Sequence, residues 1–363
     1  MNKSKHTIAV ILLTIVSTVG LFAFFNYVLY RLPTAASAEA EPIDTMIEIH
    51  FGLQAFLFAL IMVIMLYAVF AFRRKPGDEE EGPHVHGHTG LEILWTIVPT
   101  AVVIVFGIYG ATVLAGLLEA KPEERVVDVL GRQWSWQFAY PDIEDKTSAQ
   151  LGLRVNEPVV LHMRSADVIH SFWVPEFRVK QDLLPVASDD EYYELRFTPT
   201  VEGTYAVRCA EICGLQHSQM IADVLVMNDA DYEVWAAAIA AKPGLDELDG
   251  MTPEERGAFW YEQFGCNGCH SLDGTPGAGP TWQGLFGREE MLTDGTAVSV
   301  DDAYLINSIL NPNSQIVQGY NAGIMPQNYL DQFSAYGYSD ADGITSDLIA
   351  FIKTLSAEPA VSE

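Results

Sequence analysis

Two short runs of this 363-residue chain concentrate soft metal donors. The first is Cys209-Ala210-Glu211-Ile212-Cys213-Gly214-Leu215-Gln216-His217-Ser218-Gln219-Met220. It holds two thiols, an imidazole and a thioether within 12 residues. His170 lies upstream, in Val168-Ile169-His170-Ser171-Phe172-Trp173-Val174-Pro175. Thiolate, thioether and imidazole together select copper. A mononuclear blue-copper site needs one cysteine, two histidines and a weak methionine, so two cysteines would let two copper ions share both sulfurs. Three other readings stay open. A structural zinc site would leave Met220 idle, and C-x3-C departs from the common C-x2-C knuckle. A disulfide suits an exported domain. The histidines could also be ordinary surface residues.

The second run is Cys266-Asn267-Gly268-Cys269-His270, the C-x-x-C-H signature of c-type haem attachment. Two thiols three residues apart on a helical turn can each bond a haem vinyl group, and His270 then points its imidazole at the iron. A redox C-x-x-C followed by a chance histidine is the alternative. No histidine follows His270, so a sixth iron ligand must be Met291 or Met325. Met/His coordination raises the potential, which suits a donor to copper. The four cysteines of the chain are all in these two close pairs, a pattern of metal or cofactor chemistry rather than a disulfide framework.

Elements that could position these groups are legible around them. Short apolar alternations at 126–130, 159–163, 193–197, 203–207 and 222–226, separated by Pro and Gly, suggest an all-β sandwich or barrel. Residues 229–242 are alanine-rich and read as a helix stopped by Pro243-Gly244, with a linker at about 243–252. Thr252-Pro253-Glu254-Glu255 reads as a capping box with Pro in the first turn, opening a helix that delivers the C-x-x-C-H run. Residues 346–355 read as a terminal helix covering the haem edge.

Upstream, residues 8–30, 51–72 and 93–118 are uncharged and, at about 20 residues each, long enough to cross a bilayer. Arg73, Arg74 and Lys75 place the loop after the second run in the cytoplasm, so everything after Leu118 is expected outside. The acidic segment before Phe51 (Glu39, Glu41, Asp44, Glu48) reads as an outside loop. Lys3 and Lys5 before the first run, and Pro33 with Ala36-Ser37-Ala38 after it, resemble a signal peptide, yet the run is longer than such peptides use. Residues 1–38 are therefore either a signal peptide or a first transmembrane helix. His84, His86 and His88, beside Asp78-Glu79-Glu80-Glu81, could bind a metal weakly but read better as a solvated loop. The net charge of −28 excludes a nucleic-acid partner, which would need Lys and Arg. It is divided unequally: −3 over 1–118, −10 over 119–242 and −15 over 243–363.

With those residues in view, 43–230 resemble subunit II of haem–copper cytochrome c oxidases. The matching stretches are Leu91-Glu92-Ile93-Leu94-Trp95-Thr96-Ile97-Val98-Pro99, Gly131-Arg132-Gln133-Trp134-Ser135-Trp136, the His170 run and the Cys209–Met220 run. The resemblance implies a cupredoxin-like β-barrel carrying dinuclear CuA. Its ligands would be His170, Cys209, Cys213, His217, Met220 and the backbone carbonyl of Glu211. The Glu211 carboxylate would help bind magnesium at the interface with subunit I. Trp134 would be the exposed tryptophan through which electrons come in, and Glu92 the mouth of a proton pathway into subunit I. Without the resemblance, Trp134 reads as a half-buried core aromatic and Glu92 as an interfacial acid. One departure is visible: where the family commonly has Pro-Gly after a Lys-x-Asp turn, Lys180-Gln181-Asp182-Leu183-Leu184-Pro185 leads to Val186.

Residues 252–355 resemble a class I cytochrome c, with Gly277-Ala278-Gly279-Pro280 and Leu285-Phe286-Gly287-Arg288 after the haem motif. In that family the Met before Pro is the axial ligand, which points to Met325 in Ala322-Gly323-Ile324-Met325-Pro326. The order of parts resembles subunit II of cytochrome c-fused (caa-type) oxidases. The expected architecture is multidomain. It has a signal peptide or first helix (1–38), a two-helix transmembrane hairpin (39–118), a cupredoxin CuA domain (119–230), a helix and linker (231–251), and an all-α class I cytochrome c domain (252–363). Electrons would reach the haem, pass to CuA, and go on to the oxygen-reducing site of subunit I, coupled to proton translocation. The implied partners are subunits I and III, the membrane, and an upstream donor: a cytochrome, a copper protein or a quinol-oxidising complex. The implied location is a bacterial cytoplasmic membrane with both metal domains outside. The alternatives are a CuA-containing subunit of a nitric oxide reductase or a stand-alone membrane-anchored electron carrier. A quinol oxidase subunit would lack the copper ligands.

Overall fold

Uncharged helices of bilayer length and short alternating strands segregate cleanly along this chain. The computed structural model describes residues 3–356, except 30–31, 75–76, 78–83, 85, 187, 189–190, 244, 276, 328, 331–332 and 334–341. The acidic run Asp78–Glu81 lies outside the described residues. Two units are distinct: residues 1–119 with 176–178, and residues 120–175 with 179–363.

The first unit holds α1 (Lys3–Phe24), α2 (Ala40–Ala71) and α3 (Thr89–Leu118). All three lie in segments long and apolar enough to span a membrane. At 1.5 Å per residue, the 32 residues of α2 measure about 48 Å, well beyond a hydrocarbon core of about 30 Å. The surplus is its acidic start, expected above to be a loop. Glu41 in the first turn suits the positive end of a helix, so acidity and helix agree there. The first apolar run packs along α2. His6 Nδ1 lies 2.8 Å from the Tyr67 hydroxyl, and the Phe25 and Phe51 rings stack at 5.9 Å. Ala36 and Ser37 after it are buried. At the start of α3, His88 Nδ1 accepts from the Leu91 N–H (3.2 Å) and Glu92 Oε1 accepts from the His88 N–H (3.1 Å). This is a reciprocal cap of the capping-box type.

The second unit begins with ten strands: β1 (Arg125–Arg132), β2 (Ser135–Tyr140), β3 (Lys146–Ser148), β4 (Leu151–Arg154), β5 (Val159–Ser165), β6 (His170–Val174), β7 (Val179–Leu183), β8 (Tyr193–Phe197), β9 (Gly203–Cys209) and β10 (Ile221–Met227). They form two five-stranded sheets, in the orders β3-β2-β1-β5-β8 and β4-β10-β9-β6-β7. This is a cupredoxin-like β domain. Alternation decides which face is buried: Val127 and Val129, then Trp136, Phe138 and Tyr140, then Leu151 and Leu153, then Val224 and Val226. Each such side chain contributes about 1.5–3 kcal/mol on burial. The Lys180-Gln181-Asp182 stretch, read above as a turn, is part of strand β7 against β6. Lys180 pairs with Asp182 at 2.9 Å, and the Ser171 hydroxyl donates to Asp182 at 2.7 Å.

After β10 come α4 (Asp229–Ala240), α5 (Pro253–Gln263), α6 (Asp302–Leu310) and α7 (Asp342–Thr354), with a hairpin of β11 (Glu289–Met291) and β12 (Ala297–Ser299). The hairpin departs from the all-helical expectation. Its connection has Gly295 at φ +85°, and the Asp294 carboxylate accepts from the Thr296 N–H at 2.9 Å. The capping box of α5 is present: Thr252 Oγ1 accepts from the Glu255 N–H (3.3 Å) and Glu255 Oε2 from the Thr252 N–H (2.9 Å). Trp260, Phe264, Trp282, Leu305, Phe333, Ile344 and Leu348 form one buried cluster. Where α5 crosses α7, a Cβ on Gly257 would lie 2.0 Å from the Asp347 carbonyl oxygen. Gly257→Ala is therefore expected to destabilise by about 1–3 kcal/mol through overpacking, outweighing any gain in helix propensity. A lowered thermal midpoint of the purified chain would show it; an unchanged midpoint would mean that the crossing can relax.

Candidate metal centre and adjoining cavity

The sulfur pair is assembled by two strand ends and the loop between β9 and β10. Cys209 closes β9 opposite Phe172 of β6, so His170 at the start of β6 comes alongside. The Cys209 N–H donates to the Met220 carbonyl (3.1 Å) and the Ala210 N–H to the Ser171 carbonyl (2.9 Å), closing the loop on itself. Inside it the two sulfurs are 3.7 Å apart. Each sulfur has its own imidazole: His170 Nδ1 is 3.9 Å from Cys209 Sγ, and His217 Nδ1 is 3.5 Å from Cys213 Sγ. The Glu211 carbonyl oxygen is 3.1 Å from Cys209 Sγ, and Met220 Sδ is 3.8 Å from Cys213 Sγ. All six sequence-derived donors thus converge. The donor atoms of His170, Cys209 and Cys213 lie within 4.8 Å of one another, the only cluster of three or more His, Cys, Asp or Glu ligands of this kind among the described residues. His84, His86 and His88 do not converge in that way, and His88 is instead the cap of α3. Glu211 keeps its carboxylate on the exposed surface.

Electrostatics prepare the pair for a cation. The Cys209 thiol is held far below the ordinary thiol range, chiefly by its hydrogen bond with Cys213 and against the effect of burial. The same pairing drives Cys213 upward. A metal binds both sulfurs as thiolates, so its uptake at this pair is coupled to the loss of protons. Burial lowers the His170 pKa, but bonds to Asp167 and Cys209 outweigh it and the net shift is upward. Asp167 is shifted down: burial raises it, and its bonds from His170 and the backbone of Gln133 and Val168 more than compensate. Two soft sulfurs in contact, two imidazoles and a thioether fit copper better than zinc, because Met220 and the Glu211 carbonyl have a place in the set.

The C-x-x-C-H run forms a tight turn after α5, with the His270 N–H donating to the Cys266 carbonyl at 2.9 Å. Cys266, Cys269, His270, Trp282, Tyr329 and Met325 line one cavity. His270 Nδ1 is 2.7 Å from the Pro280 carbonyl, which leaves Nε2 free. Burial lowers the His270 pKa despite that bond and pushes the Cys266 thiol up to about 12. A neutral imidazole, two thiols and a thioether around one largely apolar cavity fit a covalently attached haem. Met325 lines the cavity; Met291 sits on β11 at 45 % exposure and does not.

Trp134 is not the exposed residue expected from the sequence. It is 8 % exposed, and with Gln133 it walls this same cavity. The C-terminal segment covers it: a Cβ on Gly268 would lie 3.8 Å from the Trp134 carbonyl, and Gln263 accepts from Arg132 at 3.3 Å and from Gln137 at 2.9 Å. Trp134 Nε1 donates to the Cys213 carbonyl at 3.1 Å, and Gln133 Nε2 to the same oxygen at 2.6 Å. One oxygen beside the sulfur pair is therefore gripped by the cavity wall. Sequence reading missed Gln133 and Asp167, since neither type signals a metal partner. Glu92 stands in the other unit, engaged in its cap.

Two family profiles match the chain: the transmembrane domain of cytochrome c oxidase subunit II over residues 25–113, and the periplasmic domain of the same subunit over 146–227. Cytochrome c oxidase subunit 2 of Synechocystis is 30 % identical over 319 residues, covering 73 % of this chain and 94 % of that protein. The subunit of the same name from Thermostichus vulcanus is 31 % identical, covering 62 % and 84 %. A crystal structure of the periplasmic domain of cytochrome oxidase subunit II from Bradyrhizobium japonicum matches at 25 % identity. It covers 33 % of this chain and 96 % of its own, with a TM-score of 0.31.

Proposed function

This chain belongs to the cytochrome c oxidase subunit II family, and from that premise we propose that it is the electron-accepting subunit of an aerobic respiratory oxidase with a fused haem domain. Membership makes it part of a membrane-anchored oxidoreductase complex with other oxidase subunits, and copper and electron transport go with the family. The finer reading is a caa-type arrangement: anchor helices up to 118, a CuA domain over 119–230, a helix and linker over 231–251, and a class I cytochrome c domain over 252–363. Arg73 and Arg74 support a cytoplasmic loop after α2, and so both metal domains on the outer side of a bacterial cytoplasmic membrane.

The observation that carries the reading is the shared wall. Trp134 and Gln133 line the C-x-x-C-H cavity and also bond the carbonyl of Cys213. In this reading the thiolates of Cys209 and Cys213, the imidazoles of His170 and His217, the Met220 thioether and the Glu211 carbonyl would hold the copper, the last two as weak donors that would tune its potential. Cys266 and Cys269 would attach the haem covalently, and His270 and Met325 would supply its iron ligands. Bound copper would supply a one-electron relay spread over two sulfurs, and bound haem a second one-electron carrier. Trp134 adjoins both sites, lining the cavity and donating to the Cys213 carbonyl. The Glu211 carboxylate, exposed beside the sulfurs, would contribute to a magnesium site facing subunit I. Glu92 would mark the start of a proton path there. Oxygen reduction and proton translocation would belong to subunit I, with subunit III alongside.

Isolation of the native complex with metal and haem counting tests this. We expect two coppers and one covalent haem per copy of the chain, co-purification with a many-span haem protein, and consumption of oxygen. Turnover of nitric oxide instead, or a chain that purifies alone, would overturn it. Met325→Leu is expected to abolish the weak sulfur-to-iron absorption band near the red end of the spectrum, with the covalent haem retained. A persisting band would transfer the ligand role to Met291.

A further inference from the structure

We propose that Asp167 is a positioning residue of the copper centre, fixing the His170 ligand and tying it to the wall of the neighbouring cavity. This rests on the copper reading above. Asp167 belongs to no motif, and it lies in the short connection between β5 and β6. Its side chain is only 16 % exposed. Oδ1 accepts from His170 at Nε2 (2.8 Å) and from the Val168 N–H (2.7 Å), and Oδ2 accepts from the Gln133 N–H (2.8 Å).

The first bond sets which ring nitrogen is available. With Nε2–H committed to the carboxylate, the lone pair lies on Nδ1, the atom that faces Cys209 Sγ. A carboxylate behind a ligating histidine also fixes the ring and raises its donor strength. The other oxygen works at the opposite end of the sulfur pair. It holds the backbone of Gln133, whose side chain grips the Cys213 carbonyl and whose neighbour Trp134 does the same. One carboxylate therefore links the imidazole beside Cys209 to the segment clasping Cys213, and that segment is also the cavity wall. The two partly independent loops of the site are held in register by a group that donates nothing to the metal itself.

The test uses the full-length chain loaded with copper, as wild type, Asp167→Asn and Asp167→Ala. Covalent haem content reports folding in every sample. For Asp167→Ala we expect copper affinity to fall about 10–100-fold, as for other partners of ligating residues. The exchangeable ring proton of one ligand histidine, protected in the wild type, should exchange freely with solvent in paramagnetic nuclear resonance spectra. Asp167→Asn can still accept from His170, so it should keep both coppers. Its copper centre should be easier to reduce, because a negative charge beside the ligand is gone. If Asp167→Ala loses haem as well, the Asn variant decides alone. Wild-type affinity and exchange in Asp167→Ala, or an unshifted potential in Asp167→Asn, would overturn the proposal. A wild-type chain that never takes up two coppers would instead overturn the copper reading on which it rests.

Discussion

If the proposed two-copper centre and covalent haem are present, replacing Cys213 by serine is expected to destroy the first and leave the second in place. Cys213 Sγ meets three other donors of the site: Cys209 Sγ lies 3.7 Å away, His217 Nδ1 3.5 Å and Met220 Sδ 3.8 Å. A serine oxygen is hard where copper in this donor set is soft, and its hydroxyl stays protonated near neutral pH where a thiol gives up its proton on binding the metal. The residue is buried, so the new hydroxyl also needs a partner that the sulfur did not. Copper per chain should drop from two to one or none. Spin resonance should change from one electron shared by two copper nuclei to the pattern of a single nucleus, or to no signal. Oxygen consumption should fall further than the 10–100-fold typical of losing a partner behind a ligand. Two coppers still sharing one electron in the serine variant would sink the bridging role. A single-copper pattern in the wild type would sink the dinuclear centre altogether.

The donor set was readable because its chemistry is local. Cys209, Cys213, His217 and Met220 fall within 12 residues, so their types and spacing point to a soft-metal site, while the resemblance supplied the Glu211 carbonyl and the choice of copper over zinc or a disulfide. His170 was noted as a candidate donor from its residue type, but only the resemblance tied it to the cysteines, because the pairing of β6 with β9 brings it in from 39 residues upstream of Cys209. Strand β2 was missed although Trp136, Phe138 and Tyr140 alternate cleanly, and β6 was missed because its burial does not alternate. Asp167 and Gln133 could not be read at all: they act through hydrogen bonds across 34 and 80 residues of sequence, and nothing in their type announces them. The exposure of Trp134 was misjudged for a related reason. Its environment is set by a domain more than 100 residues away, and the sequence shows that domain's chemistry but not the surface it covers.

That covering gives the second large effect its logic. Replacing Cys266 and Cys269 together by alanine is expected to leave a chain with no covalent haem and an unchanged two-copper signal. The copper ligands lie in strands and a loop that make no use of these thiols. The cavity has no other cysteine, so haem could be held only by His270 and Met325, and extraction with acidified organic solvent should remove it. The core would feel the change modestly, since Cys266 belongs to the buried cluster and each thiol is replaced by a smaller apolar group. Turnover with the natural donor should collapse. In a chain whose Trp134 were open, a soluble donor could restore turnover at high concentration by reaching the copper domain directly. Here Trp134 is 8 % exposed and forms part of the cavity wall. Adding more donor should therefore fail to rescue the variant, whereas a small chemical reductant should still reduce the copper pair. Full rescue by the protein donor would mean that electrons have a way to the copper that does not pass the C-terminal domain. A wild-type chain whose haem is extractable would mean that Cys266 and Cys269 hold none.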